Sequence, residues 1–96
     1  MTKIVWTDVA AADLANIHAY ISKDSSFYAR AVVAQILSAV DQLEYFPKSG
    51  RIVPEFKKEN IREFLTGNYR VIYDLVDAHA KARILTVIHG ARLLKH

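Results

Sequence analysis

Four side chains in the second half of this chain are the candidates for chemistry: Arg62, Arg70, His89 and Arg92. They lie in or just after three strand-like runs, Ile61-Arg62-Glu63-Phe64-Leu65, Tyr69-Arg70-Val71-Ile72-Tyr73 and Ile84-Leu85-Thr86-Val87-Ile88-His89, the last continuing into Gly90-Ala91-Arg92. A guanidinium fork matches phosphate or carboxylate oxygens in paired hydrogen bonds, so clustered arginines suit an anionic partner. A histidine of ordinary pKa, about 6.5, can give or take a proton near neutrality. The same residues also have a plainer use. Arg62, Arg70 and Glu63 can pair across neighbouring strands and satisfy a wet sheet face by themselves, and His89 can be a hydrogen-bonded strand end.

The charge is unevenly spread. Residues 1–50 carry four Lys/Arg against five Asp/Glu, whereas residues 51–96 carry nine against five, within a net charge of +3. A basic half suits nucleic acid or an acidic protein; a lysine-rich solvated surface gives the same count. Lys57-Lys58 reads both ways, as a solvated loop or as a steering patch.

These residues need a scaffold, and the first half reads as one. Ile4-Val5-Trp6 is a short first strand, after which Thr7 or Asp8 can cap a helix. Ala10, Leu14, Ile17 and Ile21 recur at helical spacing as one apolar stripe. Ser22-Lys23-Asp24-Ser25-Ser26 breaks that helix, and Ser25 or Ser26 can cap the next. The second helix is expected from about Phe27 to Tyr45, with Ala29, Val33, Ile36, Leu37, Val40 and Leu43 buried and Pro47 and Gly50 beyond its end. Trp6, Tyr20, Phe27 and Tyr73 read as core aromatics, and His18 and His79 as surface residues. Arg51-Ile52-Val53, Ile61–Leu65, Tyr69–Val76 and Ala82–His89 read as extended. Thr66-Gly67-Asn68 and Asp77–Lys81 are their turns. Val71, Tyr73 and Leu75 alternate with Arg70, Ile72 and Asp74, which separates an apolar face from a mixed one. The expected fold is α+β, an N-terminal helical hairpin packed on one face of a small antiparallel β-sheet whose other face is partly open. Residues 1–96 form one domain.

No apolar run approaches the roughly 20 residues that span a bilayer, and Met1-Thr2-Lys3 runs straight into the first strand without a secretory signal. A soluble, cytoplasmic protein with no membrane contact is expected. The chain has no cysteine, which removes disulfides and thiolate metal sites. His18, His79, His89 and His96 lack ligand-pair spacing, so neither metal nor cofactor is expected.

Taken in order, Trp6, Ala12-Asp13-Leu14, Ile17, Tyr20-Ile21, Pro47, Gly50-Arg51, Val53-Pro54-Glu55, Ile61-Arg62-Glu63, Tyr69-Arg70-Val71-Ile72-Tyr73 and Val87-Ile88-His89-Gly90-Ala91-Arg92 resemble the RelE/ParE superfamily, toxins of type II toxin–antitoxin pairs. The resemblance covers nearly the whole chain. It implies a small α+β toxin neutralised by a cognate antitoxin in a hetero-oligomer, with one of two targets. RelE-like members cut mRNA on the ribosome, and ParE-like members poison DNA gyrase.

Metal-free RNA cleavage needs a base for the 2′-OH, cations for the phosphate and an acid for the leaving oxygen. In the nuclease alternative, Arg70 and Arg92 align with arginines of mRNA-cleaving relatives and His89 is the acid or base. Two departures count against it. Those relatives carry a lysine pair where this chain has Ile61 and Glu63, and a catalytic tyrosine or histidine in the tail, whereas Ala91-Arg92-Leu93-Leu94-Lys95-His96 has no tyrosine and a histidine only at its terminus. Arg62-Glu63 and the His-Gly-x-Arg ending are closer to ParE. The expectation is a ParE-like, non-enzymatic gyrase inhibitor with Arg62, Arg70, His89 and Arg92 as target contacts.

Overall fold

In the computed structural model, which describes residues 1–90, the chain runs through β1 (Lys3–Trp6), α1 (Asp8–Ser22), α2 (Ser26–Asp41), a 3-10 turn (Gln42–Glu44), β2 (Arg51–Ile52), β3 (Ile61–Thr66), β4 (Tyr69–Val76) and β5 (Lys81–His89). Both helices begin where a hydroxyl can accept from a free amide of the first turn. Thr7 accepts from Ala10 N at 3.2 Å, and Ser25 from Tyr28 N at 3.0 Å. Each such cap contributes about 1 kcal/mol. The second helix stops at Asp41, short of the expected Tyr45, and tightens into the 3-10 turn before Pro47.

The five strands form one sheet in the order β1-β5-β4-β3-β2. Strands β2 to β5 pair antiparallel, as the sequence suggests. The exception is β1, which joins β5 in parallel, Lys3 opposite Lys81 and Trp6 opposite Ile84. The β3–β4 hairpin turns on two residues, with Gly67 at φ +59°, a conformation open to glycine because it has no Cβ.

Ala10, Val32, Ile36, Val40 and Leu43 meet Val71, Tyr73, Leu75, Ala82, Ile84 and Val87 in one core. Val32 takes a buried place the sequence pattern gave to Val33 and Leu37. Val33 is only half-buried, and Leu37 is exposed. Tyr73 is a core aromatic as expected, whereas Tyr20 (72% exposed) and Phe27 (66%) are not. They lie in the last turn of α1 and the first turn of α2, outside the buried core.

A bulge fastens α1 to the sheet. Ile72 pairs with Thr86 and Tyr73 with Ile84, leaving Leu85 as an extra residue on β5. The Thr7 hydroxyl donates to the Ile84 carbonyl at 2.6 Å. Farther along α1, the Asp13 carboxylate accepts from the Thr86 hydroxyl at 2.5 Å and from Val87 N at 3.0 Å. A short acidic side chain on α1 thus satisfies the backbone where the bulge interrupts the ladder.

Candidate functional site: a paired sheet face and an aromatic cleft

Alternation along the strands assigns each candidate to a face. Val71 and Tyr73 face the helices, so Arg70, Ile72 and Asp74 face away. On β3, Phe64 packs with Tyr73 on the helix side, their ring centroids 6.0 Å apart, so Glu63 joins Arg70 behind the sheet.

That rear face is closed by charge pairing rather than left open. Glu63 is 3% exposed and Arg70 7%. Arg70 donates to Glu63 Oε1 through Nε at 3.1 Å and also through Nη2. The other Glu63 oxygen accepts from Arg51 Nε at 2.6 Å. Glu55, on the loop after β2, approaches Arg70 Nη2 at 3.6 Å. Positive and negative groups therefore alternate along Arg51, Glu63, Arg70 and Glu55. Farther along, Arg83 grips Asp74 with two bonds, 2.9 and 2.5 Å. Those bonds and the Asp74 charge raise the Arg83 pKa above its usual value. Buried charges persist only when paired in this way.

Arg62 is spent differently. Its Nε donates to the Glu59 carbonyl at 3.1 Å, and Nη1 to the carbonyls of Lys48 at 3.3 Å and Gly50 at 2.9 Å. Opposite it on β4, the Tyr73 hydroxyl donates to Pro47 O at 2.7 Å and accepts from Gly50 N at 3.0 Å. Together they clamp the 47–50 loop. Burial pushes the Tyr73 phenol pKa up, against smaller opposing effects of the Gly50 amide and the Arg62 charge.

His89 is exposed on the other side of the sheet. It pairs with Tyr69, whose ring it meets edge-on at 5.9 Å. Both line a cleft of about 370 Å³ with Asp13, Asn16, Ile17, Tyr20, Val87 and Ile88. Arg92 and the rest of 91–96 lie outside the described residues. The three described candidates therefore do not converge: Arg70 lies behind the sheet in an ion-pair chain, Arg62 binds backbone carbonyls, and His89 lies on the helix side. Arg51, Glu55 and Asp13 were not expected at these positions. Their one sequence signal was membership in the short motifs Gly50-Arg51, Val53-Pro54-Glu55 and Ala12-Asp13-Leu14.

The model of the ParE toxin of the type II toxin–antitoxin system ParDE matches residues 4–94. This chain belongs to the ParE toxin family. It is 30% identical to "Toxin RelE2" of Caulobacter vibrioides over 97% of this chain and all of that protein. To the "Putative toxin Y4kP" of Sinorhizobium fredii it is 37% identical, over 92% of this chain and 88% of the relative. In fold it resembles a chain of the chromosomal ParDE system of P. aeruginosa, with TM-score 0.75 and 22% identity over 93% of this chain and 96% of that one. It also resembles a chain of the RelBE2 toxin–antitoxin complex of Mycobacterium tuberculosis, with TM-score 0.64 and 20% identity over 95% and 93%. The ParE-family fold is thus a helical hairpin against a five-stranded, mostly antiparallel sheet.

Proposed function

We propose that this ParE-family toxin acts as a binding protein on DNA gyrase, favouring a cleaved gyrase–DNA state and so arresting replication in the cytoplasm. The observation that carries the reading is the placement of Arg70. Two carboxylates hold its guanidinium, and His89 lies on the opposite face of the sheet. Phosphoryl transfer by RNA cleavage asks a cation and the acid–base group to meet at one phosphate, and Arg70 and His89 lie on opposite faces. A gyrase poison needs no chemistry of its own, only a higher affinity for one state of its target.

A cognate antitoxin neutralises the toxin in a hetero-oligomer. The structural neighbours come from toxin–antitoxin systems, and this reading extends their assembly to the present chain. Arg62, His89 and Arg92 remain the proposed target contacts, with Arg70 supporting the fold.

The test is gyrase supercoiling and cleavage with purified, antitoxin-free toxin. Inhibited supercoiling with accumulated cleaved DNA is expected. Folded toxin that leaves gyrase untouched but cuts mRNA on programmed ribosomes would replace this reading with the RelE type.

A further inference from the structure

The cleft beside His89 has a chemistry the gyrase reading does not use. Three rings, Tyr20, Tyr69 and His89, line it together with the apolar Ile17 and Val87. Among its described lining residues, Asp13 is the one carboxylate, and no lysine or arginine is present. That carboxylate is already positioned, because Thr86 and Val87 both bond its Oδ2 atom. Asn16 adds an amide beside it. On a chain of net charge +3, this is an acidic, aromatic pocket of small-ligand size.

A guanidinium fits such a pocket on three counts. Its flat face stacks on aromatic rings, a carboxylate takes its N–H donors, and the side-chain amide oxygen of Asn16 can take another. An anionic guest would meet Asp13 without a compensating cation in the described lining. Tyr20 is exposed and its ring already meets a cation, Lys23 Nζ at 5.6 Å from the centroid, while Tyr69 is held by the core and by His89.

We infer that this cleft receives an arginine side chain presented by a partner protein. The inference does not depend on gyrase being the target.

The test uses the purified toxin and small probes followed by two-dimensional NMR. Blocked arginine (N-acetyl-arginine methylamide) should give saturable shifts centred on Asn16, Tyr20, Tyr69 and His89. Blocked citrulline, which keeps the shape and loses the charge, should bind about tenfold more weakly. Asp13→Asn should weaken arginine binding by a similar factor. Because Asp13 also secures the bulge, Tyr20→Ala serves as a second variant that removes an exposed wall and leaves the bulge contacts intact. Equal binding of citrulline, no saturable shift, or preference for guanosine monophosphate would overturn the proposal.

Discussion

Replacing Arg70 by alanine should unfold this protein more readily rather than merely blunt a contact. The substitution leaves Glu63, 3% exposed, without its buried partner. Breaking a buried ion pair from one side costs about 3–5 kcal/mol. Arg51 still holds the other Glu63 oxygen, but its side chain is 69% exposed, so water screens much of that attraction. We expect a net loss of about 3 kcal/mol, against a total stability of about 5–14 kcal/mol for a domain of this length. With a urea dependence near 1.2 kcal/mol per molar, the denaturation midpoint falls by roughly 2.5 M. The companion variant Arg70→Met/Glu63→Met removes both charges. Its midpoint should return most of the way to the parent, since a well-packed apolar pair replaces a buried ion pair at little or no cost. Glu55 and Arg51 can then turn to solvent. An Arg70→Ala midpoint within about 0.4 M of the parent, or about 0.5 kcal/mol, would refute the reasoning, as would a double variant weaker than the single one. About 2–11 kcal/mol would remain, so lost toxicity in Arg70→Ala speaks to target contact once the variant is shown to be folded under the assay conditions.

Other perturbations reach the remaining features. Raising the pH should weaken the fold above about pH 10, because the unfolded chain ionises its phenol there while folded Tyr73 holds its proton longer. In a phenolate absorbance titration, one of the five tyrosines should titrate late, and Tyr73→Phe should abolish that step. Gly50→Ala would put a Cβ 2.7 Å from both the Glu63 carbonyl and the Tyr73 hydroxyl. Thermal melts should show a loss of about 2 kcal/mol or more. Asp13→Ala removes the acceptor for Thr86 and Val87; hydrogen exchange at the Val87 amide should quicken, with about 1–3 kcal/mol lost. Asp77, Ala78 and His79 all have positive φ, Ala78 at +53°, so Ala78→Gly should raise the melting temperature by relieving about 1 kcal/mol of backbone strain.

Local signals in the sequence reached the elements and stopped at the choices that distant residues make. Thr7 and Ser25 announced their helices because a cap acts within three residues. The parallel direction of β1 had no such mark, since four residues pair alike in either sense until Ala82 and Ile84 are brought beside them. Helical spacing identified the apolar side of α2 but not its phase. Val33 and Leu37 share that stripe, yet they line a surface groove with Trp6 and Leu14 while Val32 turns to the core. Arg70 and Glu63 were legible as a possible pair. Only the register that puts Leu65 opposite Arg70, and the loop that returns Glu55, show that the pair closes off the arginine. Arg62 was unreadable for a related reason: its partners are backbone carbonyls, which every sequence has.

The pairing of β1 with β5 also bears on the toxin's birth. Residues 3–6 leave the ribosome well before their strand partners, residues 81–84. Helices and the β3–β4 hairpin can form during synthesis, but the first strand must wait for the last, and closing so long a loop is slow. Thr7 and Asp13 lock α1 to that same last strand, so the orientation of the helical hairpin is also settled late. The cell therefore has an interval in which a growing toxin chain lacks its finished sheet. An antitoxin already present can meet the toxin as it completes its fold.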